Sequence, residues 1–316
     1  MKRWLAAAGG VFGTAVLALG GLALYSASTA RRIERALPPS GEFVDVDGAR
    51  LHYVERGSGP PIVMIHGLAG QSGHFTHSIV DLLADEFRVI VVDRPGAGHS
   101  TRRRREPANV RAQARVIADF IAALGLDRPF VVGHSLGGAI ALALALDHPH
   151  AVRGLALIAP FTRAGKEVPA PFRGLVIRSP LVREIVARTI AVPLSIRRGR
   201  RAVAAAFAPD VPPRDFAIAA RGLLSLRPNA FRTASEDLMA SGRDMRDLLA
   251  RYSTLTIPVA VLFGTGDTVL DHHHNGVRLR EEIPHVDVTL IEGGHMLPVS
   301  AAQVTADWIR ERARAG

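Results

Sequence analysis

Three residues far apart in this 316-residue chain, Ser135, Asp267 and His295, have the types that nucleophilic catalysis requires. A serine hydroxyl is a weak nucleophile at neutral pH. It needs a base within hydrogen-bond reach and a third group to orient that base. Ser135 lies in Gly133-His134-Ser135-Leu136-Gly137, after the apolar run 129–132 and before the small, helix-favouring run 138–146. That context predicts a strand, a sharp turn and a helix, with Ser135 strained at the turn and its hydroxyl exposed. Positions two before and two after the serine crowd each other, so residues without a Cβ fit there.

Asp267 ends Gly264-Thr265-Gly266-Asp267, just past the predicted buried strand 258–264. A helical stretch to about residue 282 and a second strand, 286–291, lead into Glu292-Gly293-Gly294-His295-Met296. Both candidates therefore follow the C-terminal end of a strand, where ligand sites of open α/β sheets gather. Asp237 and Asp244, in helical polar sequence, are weaker alternatives for the acid. The oxyanion formed in acyl transfer needs two preorganised N–H donors. One is expected from Leu136, the residue after the serine. The other is expected from Leu68, with Ala69 as the alternative, in the loop His66-Gly67-Leu68-Ala69-Gly70 after a predicted strand. His66 is expected to close that loop by hydrogen bonds.

These marks, with Asp93-Arg94-Pro95-Gly96-Ala97-Gly98-His99-Ser100 between them, resemble the α/β-hydrolase fold family of the His-Gly oxyanion-loop type. The resemblance spans about residue 43 to the C-terminus. It implies a Ser135–His295–Asp267 triad in the family's chain order, an acyl-enzyme mechanism without metal or cofactor, and a carboxylic ester as substrate. Carbon–carbon bonds, lactones, amides and peptides are the alternatives within the family. Ser135 argues against relatives such as dehalogenases and epoxide hydrolases, which need a carboxylate at that turn. A non-catalytic binding protein on the same fold is the remote alternative. The glycines of 93–100 read as turn residues and Asp93 as structural.

The elements that must position these residues are short. Strands are predicted at 43–46, 51–54, 62–65, 89–92, 130–132 and 155–158. The first two form a hairpin about Asp47-Gly48. Residues 109–124 carry apolar residues at helical spacing. Buried strands alternating with helices imply a mostly parallel, doubly wound sheet covered on both faces. The stretch 161–256 is too long for one connection and reads as a helical cap between core segments 43–160 and 257–316. Phe161, Phe172, Leu175, Phe207, Phe216, Leu223 and Phe231 are candidates for an acyl pocket or for the cap's own core.

The net charge of +10 is carried almost wholly by arginine, since Lys2 and Lys166 are the only lysines. The arginines are scattered without a nucleic-acid-binding module, so no nucleic-acid partner is expected. Arg102-Arg103-Arg104-Arg105 reads as a solvated loop. Within 173–201, arginines mixed with apolar residues suggest a basic amphipathic surface. The chain has no cysteine, which excludes disulfides and thiolate chemistry. Asp271-His272-His273-His274 is a poor metal site, because neighbouring histidines on a helix cannot all face one ion.

No charged residue lies between Trp4 and Ala30. Residues 4–25 are long enough, as a helix, to cross a hydrocarbon core of about 30 Å. Residues 1–30 therefore read as a transmembrane anchor, or alternatively as a signal sequence cleaved near Ser28-Thr29-Ala30, with 31–42 a linker. The expected placement is membrane-anchored, with the catalytic domain periplasmic or extracellular, or secreted after cleavage. The sequence leaves the natural substrate and the oligomeric state open.

Overall fold

The computed structural model describes residues 2–165 and 167–315, with side chains of the first helix from residue 16 onward. A nine-stranded sheet runs in the order β1 (Glu42–Val46), β2 (Ala49–Arg56), β4 (Arg88–Val92), β3 (Pro61–Ile65), β6 (Phe130–His134), β7 (Gly154–Ile158), β8 (Val259–Gly264), β9 (Asp287–Ile291). The two-residue strand β5 (Thr101–Arg102) pairs with β2 off this path. From β4 to β9 every pairing is parallel, whereas β1–β2 and β2–β4 are antiparallel. Val46 pairs with Ala49 across Asp47-Gly48, where Gly48 takes φ 84°. The hairpin is where the sequence predicts it.

Alternate side chains of each central strand point to opposite faces. Val63, Ile65, Ile90, Val92 and Val131 join one buried cluster, with α4 (Val110–Ala123) and α5 (Leu136–Asp147). Ile62, Met64, Val89, Val91 and Val132 join the other, with residues of α3 (Ile79–Leu83) and α12 (Ala302–Ala315). Both faces are covered, which is why these strands are apolar throughout rather than alternating. α5 follows the same logic. It is apolar on all sides and buried from Leu136 to Ala145.

The remaining helices are α1 (Lys2–Ala36), α2 (Gly73–Thr76), α6 (Pro180–Arg188), α7 (Ala191–Phe207), α8 (Pro228–Ser241), α9 (Met245–Arg251), α10 (Leu279–Glu282) and α11 (Leu297–Ser300). α6 to α9 lie in the long insertion between β7 and β8. α1 packs on this insertion, with Ile33 and Leu37 against Leu224.

Three expectations need correction. Residues 31–36, read as linker, are the last turns of α1, because Ile33 finds an apolar partner in the insertion. Arg102 is not solvated; its side chain is buried and paired with Glu236 and Asp237 of α8. The helical stretch before residue 282 consists of two short pieces, a wide turn His273–Val277 and α10. The apolar stretch 4–25 lies in α1, and its side chains up to residue 15 are outside the described residues. Among the described residues, no helix is long and apolar enough to cross a membrane.

Candidate active site

Ser135 occupies the turn between β6 and α5 with φ 54° and ψ −118°, a conformation that costs a non-glycine residue about 1–3 kcal/mol. The surrounding glycines are sterically required. A Cβ on Gly133 would lie 2.6 Å from the Gly137 carbonyl oxygen, and one on Gly137 would lie 2.1 Å from that of Ile65. The turn is held by Ser135 N–H donating to Ile158 O (3.0 Å) and by Gly138 and Phe161 N–H donating to Ser135 O.

Asp267 and His295, in the loops after β8 and β9, meet directly. His295 Nδ1–H donates to Asp267 Oδ2 at 2.7 Å, with side-chain exposures of 4% and 0%. The other Asp267 oxygen accepts from Val269 and Leu270 N–H at 2.7 and 2.9 Å, which fixes the carboxylate plane. With Nδ1 committed to the carboxylate, the free lone pair of a neutral His295 is on Nε2. His134 Nε2–H donates to the His295 carbonyl (3.0 Å), tying the serine turn to the histidine loop. No hydrogen bond joins Ser135 Oγ to His295 in this structure; such contacts commonly tighten only with substrate bound.

A second buried pair shows why a His–Asp contact does not by itself identify a base. His52 Nδ1–H donates to Asp93 Oδ2 at 2.8 Å. Its Nε2, however, accepts from Gly41 N–H at 3.1 Å, so no lone pair is left for a proton. Asp93 also accepts from the N–H groups of Ser72 and His99. Burial opposes the Asp93 charge, but the His52 hydrogen bond and the other donors outweigh it and hold the carboxyl below the usual range.

The loop 66–70 passes over the serine. A Cβ on Gly67 would lie 2.9 Å from Ser135 Cβ. The Gly67 carbonyl accepts from His66 Nδ1–H (2.9 Å), Arg94 Nη2–H (3.0 Å) and Gly70 N–H (3.2 Å). In a trans peptide the N–H points opposite to the C=O, so the Leu68 N–H is turned away from Arg94. Arg94 Nε–H donates to the His66 carbonyl, and Arg94 N–H donates to His66 Nε2. His66 closes the loop by hydrogen bonds, as its sequence context suggests. Among the described residues, neither Leu68 N–H nor Leu136 N–H is taken up by another group in the loops around Ser135.

Arg94 is a site residue the sequence did not reveal. Its side chain is 1% exposed and pairs with Asp237 of α8 at 2.8 Å and with Gln113 at 2.6 Å. Asp237 is thus committed to Arg94 and Arg102, and Asp244 to Asn109 and the Arg111 N–H, away from His295. Asp210 is another missed residue. It accepts from Gly294 N–H and Ser300 Oγ–H, bracketing the His295 loop from the insertion. No local sequence signal marks either contact, since each partner comes from a distant segment.

Neutral imidazoles surround the serine. Burial, reinforced by the Arg94 charge, lowers His66 to about 3. Burial lowers His74 to about 4 and puts His134 well below its ordinary value, with His295 nearby adding to the His134 shift. Phe207 and Phe216 stack edge to face at 5.0 Å and cluster with Met296, next in sequence to His295. Of the other apolar candidates, Phe161 packs on the main core and Leu223 on the α1 contact.

A sequence model of the family described as alpha/beta hydrolase fold matches residues 60–302. An uncharacterized protein of Mycobacterium bovis is 30% identical over 279 residues, covering 85% of this chain and 79% of its own. The dihydrolipoyllysine-residue acetyltransferase component of an acetoin cleaving system from Cupriavidus necator is 38% identical over 120 residues. That match covers 38% of this chain and 32%, about a third, of the Cupriavidus protein. Haloalkane dehalogenase 2 of Mycobacterium tuberculosis is 38% identical over 120 residues, 38% of this chain and 42% of its own. Among solved structures, the enol-lactonase of Burkholderia xenovorans superposes with a TM-score of 0.69 at 21% identity, over 86% of this chain and 100% of that one.

Proposed function

Since the chain belongs to the α/β hydrolase fold family, we propose that it is a serine hydrolase of carboxylic esters with a lipophilic acyl group. The observation that carries this reading is the His295–Asp267 hydrogen bond beside a serine held at a strained, glycine-flanked turn. In the proposed reaction, His295 Nε2 takes the Ser135 proton as Oγ attacks the ester carbonyl. The N–H groups of Leu68 and Leu136 hold the oxyanion. The imidazolium, stabilised by Asp267, returns the proton to the departing alkoxide. Water, deprotonated by the same nitrogen, then cleaves the acyl-enzyme and the serine regains its proton.

The insertion 161–256 acts in this proposal as a cap, with Phe207, Phe216 and Met296 offering an apolar wall beside His295. The N-terminal segment would hold the protein at a membrane, with its catalytic domain outside the cytoplasm. Relatives named as a haloalkane dehalogenase and a soluble epoxide hydrolase mark the family's chemical breadth. The second reading keeps the same triad but a different acyl substrate, a lactone, amide or cleavable carbon–carbon bond.

A fluorophosphonate probe with wild type and Ser135→Ala tests the nucleophile, and p-nitrophenyl esters of increasing chain length test the substrate class. Labelling and turnover lost together in Ser135→Ala, with longer acyl chains preferred, is the expected result. Labelling without ester turnover would point to the second reading. A folded wild type that does not label would overturn the hydrolase proposal.

A further inference from the structure

The short helix α6 is built inside out. Arg183 is buried to 8% exposure, while Leu181 and Ile185 are 70% and 45% exposed. Arg183 is satisfied where it is: Nε–H donates to Ser235 Oγ at 3.0 Å and Nη2–H to the Ile177 carbonyl at 2.7 Å. Its burial therefore leaves the apolar side of the helix facing outward. The exposed surface continues through Val182, Ile190, Leu194 and Ile196. Between residues 170 and 207 there are eight arginines and a single acidic residue, Glu184. Arg178, Arg197, Arg198, Arg200 and Arg201 are all exposed along this surface.

The position of α1 says what covers it. Ser26 Oγ–H donates to the Thr189 carbonyl at the junction of α6 and α7. Over residues 16–21, N-terminal to that contact, α1 stands clear of the folded body: a Cβ on Gly20 or Gly21 would meet nothing within 4 Å, and Leu17 is exposed, as is Leu24 nearer the contact. An apolar helix segment thus stands beside a face that combines outward-facing aliphatic side chains with five exposed arginines that pair with no acid among the described residues. Burial of the aliphatic groups at the headgroup–acyl boundary and attraction of arginines to anionic headgroups favour one and the same occupant.

We propose that the face formed by α6 and the first half of α7 docks on an anionic lipid bilayer at the point where α1 enters it. The bilayer would then lie against the insertion whose Phe207 and Phe216 stand beside His295. This inference rests on the membrane part of the reading above, and it is independent of which bond the serine cleaves.

The absence of cysteine permits single-cysteine labelling of the full chain without removing native thiols. Ile185→Cys reports the face, Leu17→Cys reports α1, and Asp85→Cys reports the opposite end of the sheet, just before β4. Each is coupled to an environment-sensitive fluorophore. The proteins are reconstituted with phosphatidylcholine vesicles, with and without phosphatidylglycerol, and with lipids carrying a shallow quencher. The expected result is a blue-shifted, quenched Ile185 label in phosphatidylglycerol vesicles, reduced in pure phosphatidylcholine, and an aqueous Asp85 label throughout. Replacing Arg197 and Arg198 by Gln should lower the docked-to-undocked ratio by roughly tenfold or more. A Leu17 label in lipid with an Ile185 label in water would overturn the docking face and leave the anchor standing. Both labels in water would overturn both. A blue shift at Ile185 that grows with protein concentration without vesicles would assign the face to a second copy of the chain and overturn the lipid proposal.

Discussion

The guanidinium of Arg94 lies 2.8 Å from Oδ2 of Asp237, with 1% and 0% of the two side chains exposed. Asp237 belongs to α8 in the insertion, whereas Arg94 holds the carbonyls of His66 and Gly67, directly before Leu68. One ion pair therefore couples the insertion to the loop proposed to carry half of the oxyanion hole.

Asp237→Asn leaves the buried Arg94 guanidinium without its counter-charge and Arg102 with Glu236 alone. It should destabilise the protein by about 3–5 kcal/mol. It should also lower kcat more than it raises KM, because a misplaced Leu68 N–H weakens binding of the transition state rather than of the substrate. Arg94→Met combined with Asp237→Leu should recover stability relative to either single change, yet not kcat. Urea unfolding and steady-state ester hydrolysis read the two effects separately. Equal losses of stability and activity in Asp237→Asn, in both single changes and in the double variant would reduce the pair to a packing feature.

Asp267→Asn can preserve the bonds from Val269 and Leu270 N–H while presenting an amide to His295 Nδ1. The favoured tautomer then changes, and kcat should fall by about 10⁴ with little change in thermal stability. Loss below tenfold would remove Asp267 from the orienting role.

Gly137→Ala places a methyl 2.1 Å from the Ile65 carbonyl oxygen, a backbone atom that cannot step aside. It should destabilise by about 3 kcal/mol or more. Gly199→Ala, within α7 with nothing within 4 Å, should stabilise by about 0.5–1 kcal/mol. Chemical denaturation of the two variants side by side checks both signs.

His66 and His134 are buried in the neutral form, with folded values below 6.5. Above that pH neither state binds the protons and stability is at its full value. As pH falls below it, the unfolded chain takes up protons the folded one refuses, so stability declines by about 1 kcal/mol per pH unit for each histidine. For His66 the decline ends near its folded value of about 3. Urea midpoints between pH 7 and 5 measure the slope, and His134→Gln should reduce it by about one proton's worth.

Much of the sheet was legible because its rules are local. Apolar runs of four to six residues, with Gly, Asp or Pro within two residues of their end, mark strands buried on both faces. The spacing of Gly133, Ser135 and Gly137 reports a steric need of the turn itself. The same reasoning misjudged Arg102, since a run of four arginines reads as solvated until α8 brings Glu236 and Asp237 to it.

By itself, then, the sequence determined the strand–turn–helix around Ser135, the sheet that carries it, and the placement of Asp267 and His295 after successive strands. Short-range sterics and hydrophobic periodicity suffice for these, because each is satisfied within a few residues of chain. The tertiary structure alone decided that Asp237 serves Arg94 rather than His295, that His52 is a closed pair, and that α6 turns Arg183 inward and Leu181 outward. Each of these depends on which distant segment supplies a charge or a carbonyl to a buried polar group. Desolvation makes that partner obligatory, but no local pattern says where in the chain it lies.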